Sequence, residues 1–203
     1  MANLKELRDE RLRKLDELKA LGVNPYPAKS NRTHKANQIL NDFDKLEGSD
    51  VTADGRIIGI RKFGKLAFVV LKDDSGQVQL FFKEGQLDDP DYGNSELSME
   101  QLNLLDSGDF IEASGEVIKS KTGEISIAVK KLRLLTKSLR SMPTQQEGFT
   151  NKEERLRRRY VDMNVNEDVR QRFVRRSNFW RATRDFLLDN DFVEVNIPVL
   201  EQT

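Results

Sequence analysis

Four residues between positions 51 and 136 have the chemistry to read a nucleotide: Arg61, Phe68, Gln79 and Glu124. An aromatic ring offers a π-face to an unpaired base, and a guanidinium, an amide and a carboxylate offer hydrogen bonds to its edge. Period two in LAFVVLKD sends Phe68 and Val70 to one face if Val69 and Leu71 point inward. The same rule groups Gln79 with Gln77 and Phe81, opposite Val78 and Leu80. Arg61 ends a long first strand, VTADGRIIGIRK, and Glu124 follows a KTG turn. Arg56 is a weaker member, because Gly59 is placed to shift the register between it and Arg61. Singly, the three polar residues also fit a solvated surface and Phe68 fits ordinary packing. As a set they favour a ligand.

The elements that must hold them follow from pattern. DSG is a hairpin signal before QVQLFF, and a short helix is expected at about 99–106. DFIEASGEVIKS and EISIAVKKLRLLT supply two more strands; in the last, Glu124, Ser126, Ala128 and Lys130 should face water. Three strands, a helix and two strands, with a long bent first strand, predict a five-stranded OB-fold barrel in a mainly β fold with flanking helices. Residues 4–21 carry a leucine stripe at helical spacing that needs something to pack on, with Gly22 as stop and NPYP beyond it. A second helix is expected over 35–46, with Thr33 as N-cap and Ile39, Leu40, Phe43 and Leu46 facing inward. Residues 138–166 read as a connector, and a long helix over 167–189 places Val169, Phe173, Trp180 and Leu187 on a buried stripe. FVEVNIPVL then reads as a strand broken at Pro198. The expected divisions are a helical extension (1–50), the barrel (51–136), a hinge (137–166) and the start of a further domain (167–203).

Composition excludes several classes. Cysteine is absent and His34 is the sole histidine, which removes disulfides, thiolate metal sites and histidine-based triads. No apolar run spans a bilayer, and MANLKELRDERLRK is too charged for a secretory signal, so a cytoplasmic protein is expected. With 34 basic and 34 acidic residues the net charge is zero, yet residues 152–184 hold 11 basic against 5 acidic. Nucleic-acid contact should therefore be local. In that segment Arg155, Arg157, Arg158 and Arg159 suit either phosphate contacts or a salt-bridge network at a domain hinge.

Several segments resemble the N-terminal part of bacterial-type class II lysyl-tRNA synthetases. They are LRDERLRKLDELKALGVNPYP, GRIIGIRKFGKLAFVVLKDDSGQVQLFF, KSKTGEISIAVKKLRLLTKSLR, the hinge-like RLRRRYVDM, and RRSNFWRATRDFLLDNDFVEVNIPVL, which resembles class II motif 1. The helix with NPYP and the KTGE hairpin favour the lysyl branch over its aspartyl and asparaginyl relatives. The resemblance implies that Phe68 stacks on the central base of the tRNA-Lys anticodon, with Arg61, Gln79 and Glu124 around it. It also implies that Phe173, Trp180 and Pro198 belong to a homodimer element. Motifs 2 and 3 would lie beyond Thr203, so ATP and magnesium are expected only with that missing part. This polypeptide, a truncation or an incompletely predicted gene, is then expected to bind tRNA without catalysing. Asp191 departs from the glycine usual at that point of motif 1 and leaves the helix-ending geometry in question. The alternatives are a free-standing binder of single-stranded nucleic acid, an aspartyl or asparaginyl fragment, and a protein-docking role for the two long helices. An aromatic content of 7% is low for the first of these.

Overall fold

The computed structural model describes residues 4–120, 123–143 and 149–196. The chain forms two compact units, Met1–Met142 and Pro143–Thr203.

The first unit opens with helix α1, Leu4–Ala20. It ends as the sequence predicts: Gly22 takes φ 85°, its N–H donates to the Lys19 carbonyl, and Val23 N–H donates to the Leu18 carbonyl. This is a Schellman closure, with Leu18 and Val23 both buried in the core. The leucine stripe packs only in part, since Leu15 and Leu18 are buried but Leu4 and Leu7 are exposed. The residues expected to form one helix over 35–46 form two short ones, α2 (Ala36–Asn41) and α3 (Phe43–Leu46), divided at Asp42. Ile39 is buried as expected, but Leu40 is exposed.

Thr33 is not the N-cap of α2. Its hydroxyl bonds Thr52 instead, and Lys35 stands at the cap. The first α2 donors are met by the Asp73–Gly76 hairpin: Ala36 N–H donates to Asp73 Oδ2 at 2.8 Å and Asn37 N–H to Ser75 Oγ at 3.1 Å. Burial pushes the Asp73 carboxyl up, but bonds from Ala36, Ser75 and Gly76 outweigh it and hold the group below the ordinary aspartate range.

The sheet contains β1 (Asp50–Phe63), β2 (Leu66–Lys72), β3 (Gln77–Lys83), β4 (Glu96–Leu97), β5 (Phe110–Lys119) and β6 (Ile125–Thr136). β1 is long enough to serve two partners: residues 50–56 pair with β5 and residues 56–63 with β2. A parallel β3–β6 pairing closes the order β3-β2-β1-β5-β6 into a ring. The two-residue β4, which the sequence did not predict, pairs with β6 outside the ring. A 3₁₀ turn at Glu100–Asn103 replaces the expected α-helix near 99–106. Inside the ring lie Val51, Ala53, Ile57, Val69, Leu71, Leu80, Phe82, Ile111, Val117, Ile127 and Val129, all buried. At the β5–β6 bulge a Cβ on Gly115 would come 2.0 Å from the Ala128 carbonyl oxygen, so only glycine lets these strands approach.

Charged groups are buried where α1 meets the exit of β6. Lys137 Nζ, fully buried, donates to Asp106 Oδ2 (2.5 Å), Asp109 Oδ2 (2.7 Å) and the Leu104 carbonyl (2.8 Å), using all three ammonium protons. Lys14 pairs with the other Asp106 oxygen at 2.7 Å. Arg11, also buried, donates to the Ser107, Ser138 and Arg140 carbonyls. Burial raises the Asp106 carboxyl, and bonds from Lys137 and Lys14 bring it below the ordinary aspartate value of 3.8.

Asp73 and Asp106 are thus acids whose folded values lie below their unfolded ones. Their contribution is complete above the unfolded range and is lost as pH falls towards the folded values. The melting temperature of the first unit should fall as pH drops below about 4, and Asp73→Asn should flatten that fall. An unchanged midpoint down to about pH 3 would contradict this.

The second unit contains α4 (Lys152–Arg157), α5 (Arg159–Val165) and α6 (Glu167–Asp189), so much of the expected connector is helical. Val161, Val165 and Val169 are buried. The remainder of the expected buried stripe is not: Phe173 and Leu187 are exposed, and Trp180 is 57% exposed. Asp191 does adopt the left-handed region, at φ 65°. Phe192 N–H reaches the Leu187 carbonyl and Asp191 N–H the Leu188 carbonyl, so α6 closes as α1 does, with aspartate in the glycine position. Residues 192–196 form no strand; Pro198 and the rest of that expected strand lie outside the described residues.

Candidate nucleic-acid interface

The outer face of β1, β2 and β3 is organised in cross-strand rows. One row is Arg61, Phe68 and Phe81, with Ala128 of β6 beyond. The next is Gly59, Val70 and Gln79, with Ser126 beyond. Three of the four candidate residues therefore share one patch, and Glu124 joins it by a side-chain bond: Gln79 Nε2 donates to Glu124 Oε2 at 2.6 Å.

Each side chain has a local reason for its place. Phe68 faces outward because Ala67, Val69 and Leu71 fill the interior. The register shift between Ile57 and Gly59 lets Ile57 and Ile60 both point to the core and turns Arg61 to the outer face. Gly59 leaves open space where a side chain would stand, so the floor beside Val70 is low. Glu124 is held by its own hairpin: its N–H donates to Ser120 Oγ at 3.0 Å and its carbonyl accepts from Ser120 N–H at 2.8 Å. The Arg61 side chain is exposed and makes no hydrogen bond or ion pair among the described residues.

Phe68 is not a solitary ring. Its centroid lies 5.3 Å from Phe81, tilted by 39°, and 6.2 Å from Phe63, edge-on at 69°. Phe63, which the sequence reading left just beyond the first strand, is 61% exposed and extends the platform. Parity could have found it, since a two-residue turn at Gly64 and Lys65 pairs Phe63 with Leu66 and sets it on the Phe68 face. Lys83 pairs with Leu66 at the same end and adds an exposed cation beside the rings. Ser126 also departs from expectation. It is fully buried, with its Oγ 3.4 Å from Gln79 Oε1 and 3.3 Å from the Glu124 carbonyl.

The weaker candidate, Arg56, lies on the same outer face, paired with Lys72, but its side chain is engaged by β5. It pairs with Phe110 of β5 and its guanidinium sits 4.5 Å from that ring's centroid, half-buried, with burial lowering its pKa. The arginine run of the second unit has local partners. Arg155 Nε and Arg159 Nη1 each lie 2.9 Å from the buried carboxylate of Asp162. Burial raises that carboxyl, but bonds from Asn166 and Arg155 and the charges of Arg155 and Arg159 hold it below the usual range. Arg157 pairs with Glu153, and Arg158 lies 3.8 Å from Glu154. Arg155 and Arg159 are thus occupied in positioning α4 and α5, and the other two pairs are exposed and weak.

A half-buried ring on the outer face, with a cation beside it and an amide–carboxylate pair one row away, can stack a base and bond its edge. Among the described residues no group of three or more His, Cys, Asp or Glu could hold a metal ion, and no helix is long and apolar enough to cross a membrane.

Comparison with known proteins agrees with this geometry. The family model for the OB-fold nucleic acid binding domain matches residues 51–135, and that for class II tRNA synthetases (D, K and N) matches residues 151–203. Lysine–tRNA ligases from Fervidobacterium nodosum and Roseiflexus castenholzii are 39% and 40% identical, each over 98% of this chain. The enzyme of Clostridium novyi is 38% identical over the same share. The chain spans 38–40% of the length of these relatives. Residues 51–135 thus resemble the OB-fold nucleic acid binding family and residues 151–203 the class II (D, K and N) tRNA synthetases, and over nearly its whole length the chain is similar to lysine–tRNA ligases.

Proposed function

We propose that the outer face of β1–β3 seats an unpaired pyrimidine of the tRNA-Lys anticodon, and that the chain is the anticodon-reading part of a lysine–tRNA ligase. The observation that carries this is the shared patch: Arg61, Phe68 and Phe81 in one row, with Gln79 bonded to Glu124 beside it. Phe68 supplies the stacking surface, Gln79 the edge contacts, and Arg61 with Glu124 the flanking bonds. Uridines stack weakly on one another, so moving one from the loop onto a protein ring costs little. The matches to lysine–tRNA ligases support lysine as the amino acid.

The ATP-dependent aminoacylation belongs, in this proposal, to the whole protein in the cytoplasm. ATP and magnesium would be held, in the same proposal, by the catalytic part of that whole protein. A second copy of the protein is the proposed cover for the exposed apolar face of α6, which includes Phe179, Trp180 and Phe186.

The test is a titration of the chain with three RNAs: the tRNA-Lys anticodon stem-loop, the same loop altered at its central base, and a generic single strand. Clear preference for the unaltered loop is expected. Equal binding of all three would favour a general single-strand binder, and no binding would refute the proposal.

A further inference from the structure

Two cations stand opposite each other on the outer face with no carboxylate bonded to either, and we propose that Arg56 and Lys72 together bind a backbone phosphate of the RNA strand whose base occupies the seat. This rests on the patch being a base seat. A third cross-strand row lies beyond the two already described: Phe110 of β5, Arg56 of β1, Lys72 of β2 and Gln77 of β3. Period two along β2 puts Lys72 on the side of Phe68 and Val70, roughly 13 Å from Phe68 at four residues' remove. Like charges directly opposite in an antiparallel pair repel and cost stability. The carboxylates nearest in the strands are engaged by other groups. Asp54, two residues before Arg56, accepts from Ser30 and Arg32. Asp73, next after Lys72, accepts from Ala36, Ser75 and Gly76, and Asp74 from Lys35. Glu112 of β5 accepts from Asn31 and Arg133. Among the described residues Lys72 makes no hydrogen bond or ion pair, and Arg56 makes only its contact with the Phe110 ring.

An anion supplies what this row lacks. The Arg56 guanidinium, half-buried and 4.5 Å from the Phe110 centroid, is held in place by the ring before any ligand arrives. Burial lowers its pKa, and no neighbouring carboxylate works against that. A guanidinium can donate to both free oxygens of a phosphodiester, and the Lys72 ammonium beside it adds a point charge. Such a contact carries no base information; it sets the direction of the strand. The RNA backbone then runs along β2, from the row of Phe68 towards that of Lys72. The repulsion between the two cations is present in the free protein and relieved in the complex.

Lys72→Gln and Arg56→Gln test this in titrations of the tRNA-Lys anticodon stem-loop over a range of salt concentrations. Each variant should reduce the slope of log affinity against log salt by about 0.7, the share of one phosphate contact on a single strand. The loss should be the same for a loop altered at its central base. The free Lys72→Gln protein should melt no lower than wild type, because a like-charge pair has been removed. Loops with one neutral methylphosphonate linkage at successive positions then locate the phosphate. At one linkage the wild type should lose affinity by about threefold and Lys72→Gln hardly at all. Inorganic phosphate should displace the loop no better than chloride at equal ionic strength; saturation of the pair by inorganic phosphate would assign it to the free ion instead. An unchanged salt slope in both variants, or no linkage whose effect depends on Lys72, would overturn the phosphate site. If the slope falls but wild type binds the stem-loop no better than a generic strand, the phosphate contact stands and the base seat does not. No binding of any RNA would remove both.

Discussion

Phe68→Ala should weaken binding of the tRNA-Lys anticodon stem-loop by roughly 1–3 kcal/mol, the usual worth of a base stacked on an aromatic ring. Thermal stability should change little, because Phe68 lies half-buried on the outer face, outside the core of the strand ring. The two readouts separate function from folding. A core role for the ring would show as a lower melting temperature with affinity unchanged. Phe68→Tyr keeps a stacking face and should retain most of the affinity, and Phe63→Ala should fall between wild type and Phe68→Ala. Parallel isothermal titrations and melts on the four proteins decide the matter.

The second large effect is expected far from that face. Lys137→Met should destabilise the first unit by roughly 3–5 kcal/mol, the cost of removing one partner from a buried ion pair. Methionine fills the volume but leaves Asp109, which is completely buried, with no cation, and takes from Asp106 the nearer of its two lysines. The remaining donors to Asp109 are the Ser138 and Asp106 backbone N–H groups, at 2.7 Å each. Against a total stability of about 5–15 kcal/mol for a domain this is a large share. The melting temperature should drop on the order of 10 °C. Lys137→Met combined with Asp109→Asn should recover part of the loss by removing the stranded charge. A loss under about 1 kcal/mol for the single variant would contradict a buried, load-sharing ion pair.

The features readable in the sequence are those fixed by short range. Period two placed Phe68 and Gln79 on the outer face, Gly22 marked the end of α1, and Gly59 marked the register shift between Arg56 and Arg61, which sets both on that face. What escaped depends on partners distant in the chain. Ser126 reads as a wet residue of an alternating strand, yet the parallel closure with β3 buries it beneath Gln79. Thr33 reads as a cap, but Asp73 and Ser75, some 40 residues on, supply the bonds to the α2 terminus. Nothing local in the sequence marks Arg11 and Lys137 for burial; they are buried because carboxylates and carbonyls from other segments surround them. For the arginine run the sequence left phosphate contacts and a salt-bridge network both open, and Asp162, close by in the chain, gathers two of its members into the second.

Cross-linking tests the base seat most directly. A tRNA-Lys anticodon stem-loop carrying 4-thiouridine at its central anticodon position is bound, irradiated and digested, and the modified peptide is identified by mass spectrometry. The adduct should fall within β2 or β3, on the segments that carry Phe68, Phe81 and Gln79. Adducts confined to α4 and α5, or spread over the chain without preference, would contradict the seat.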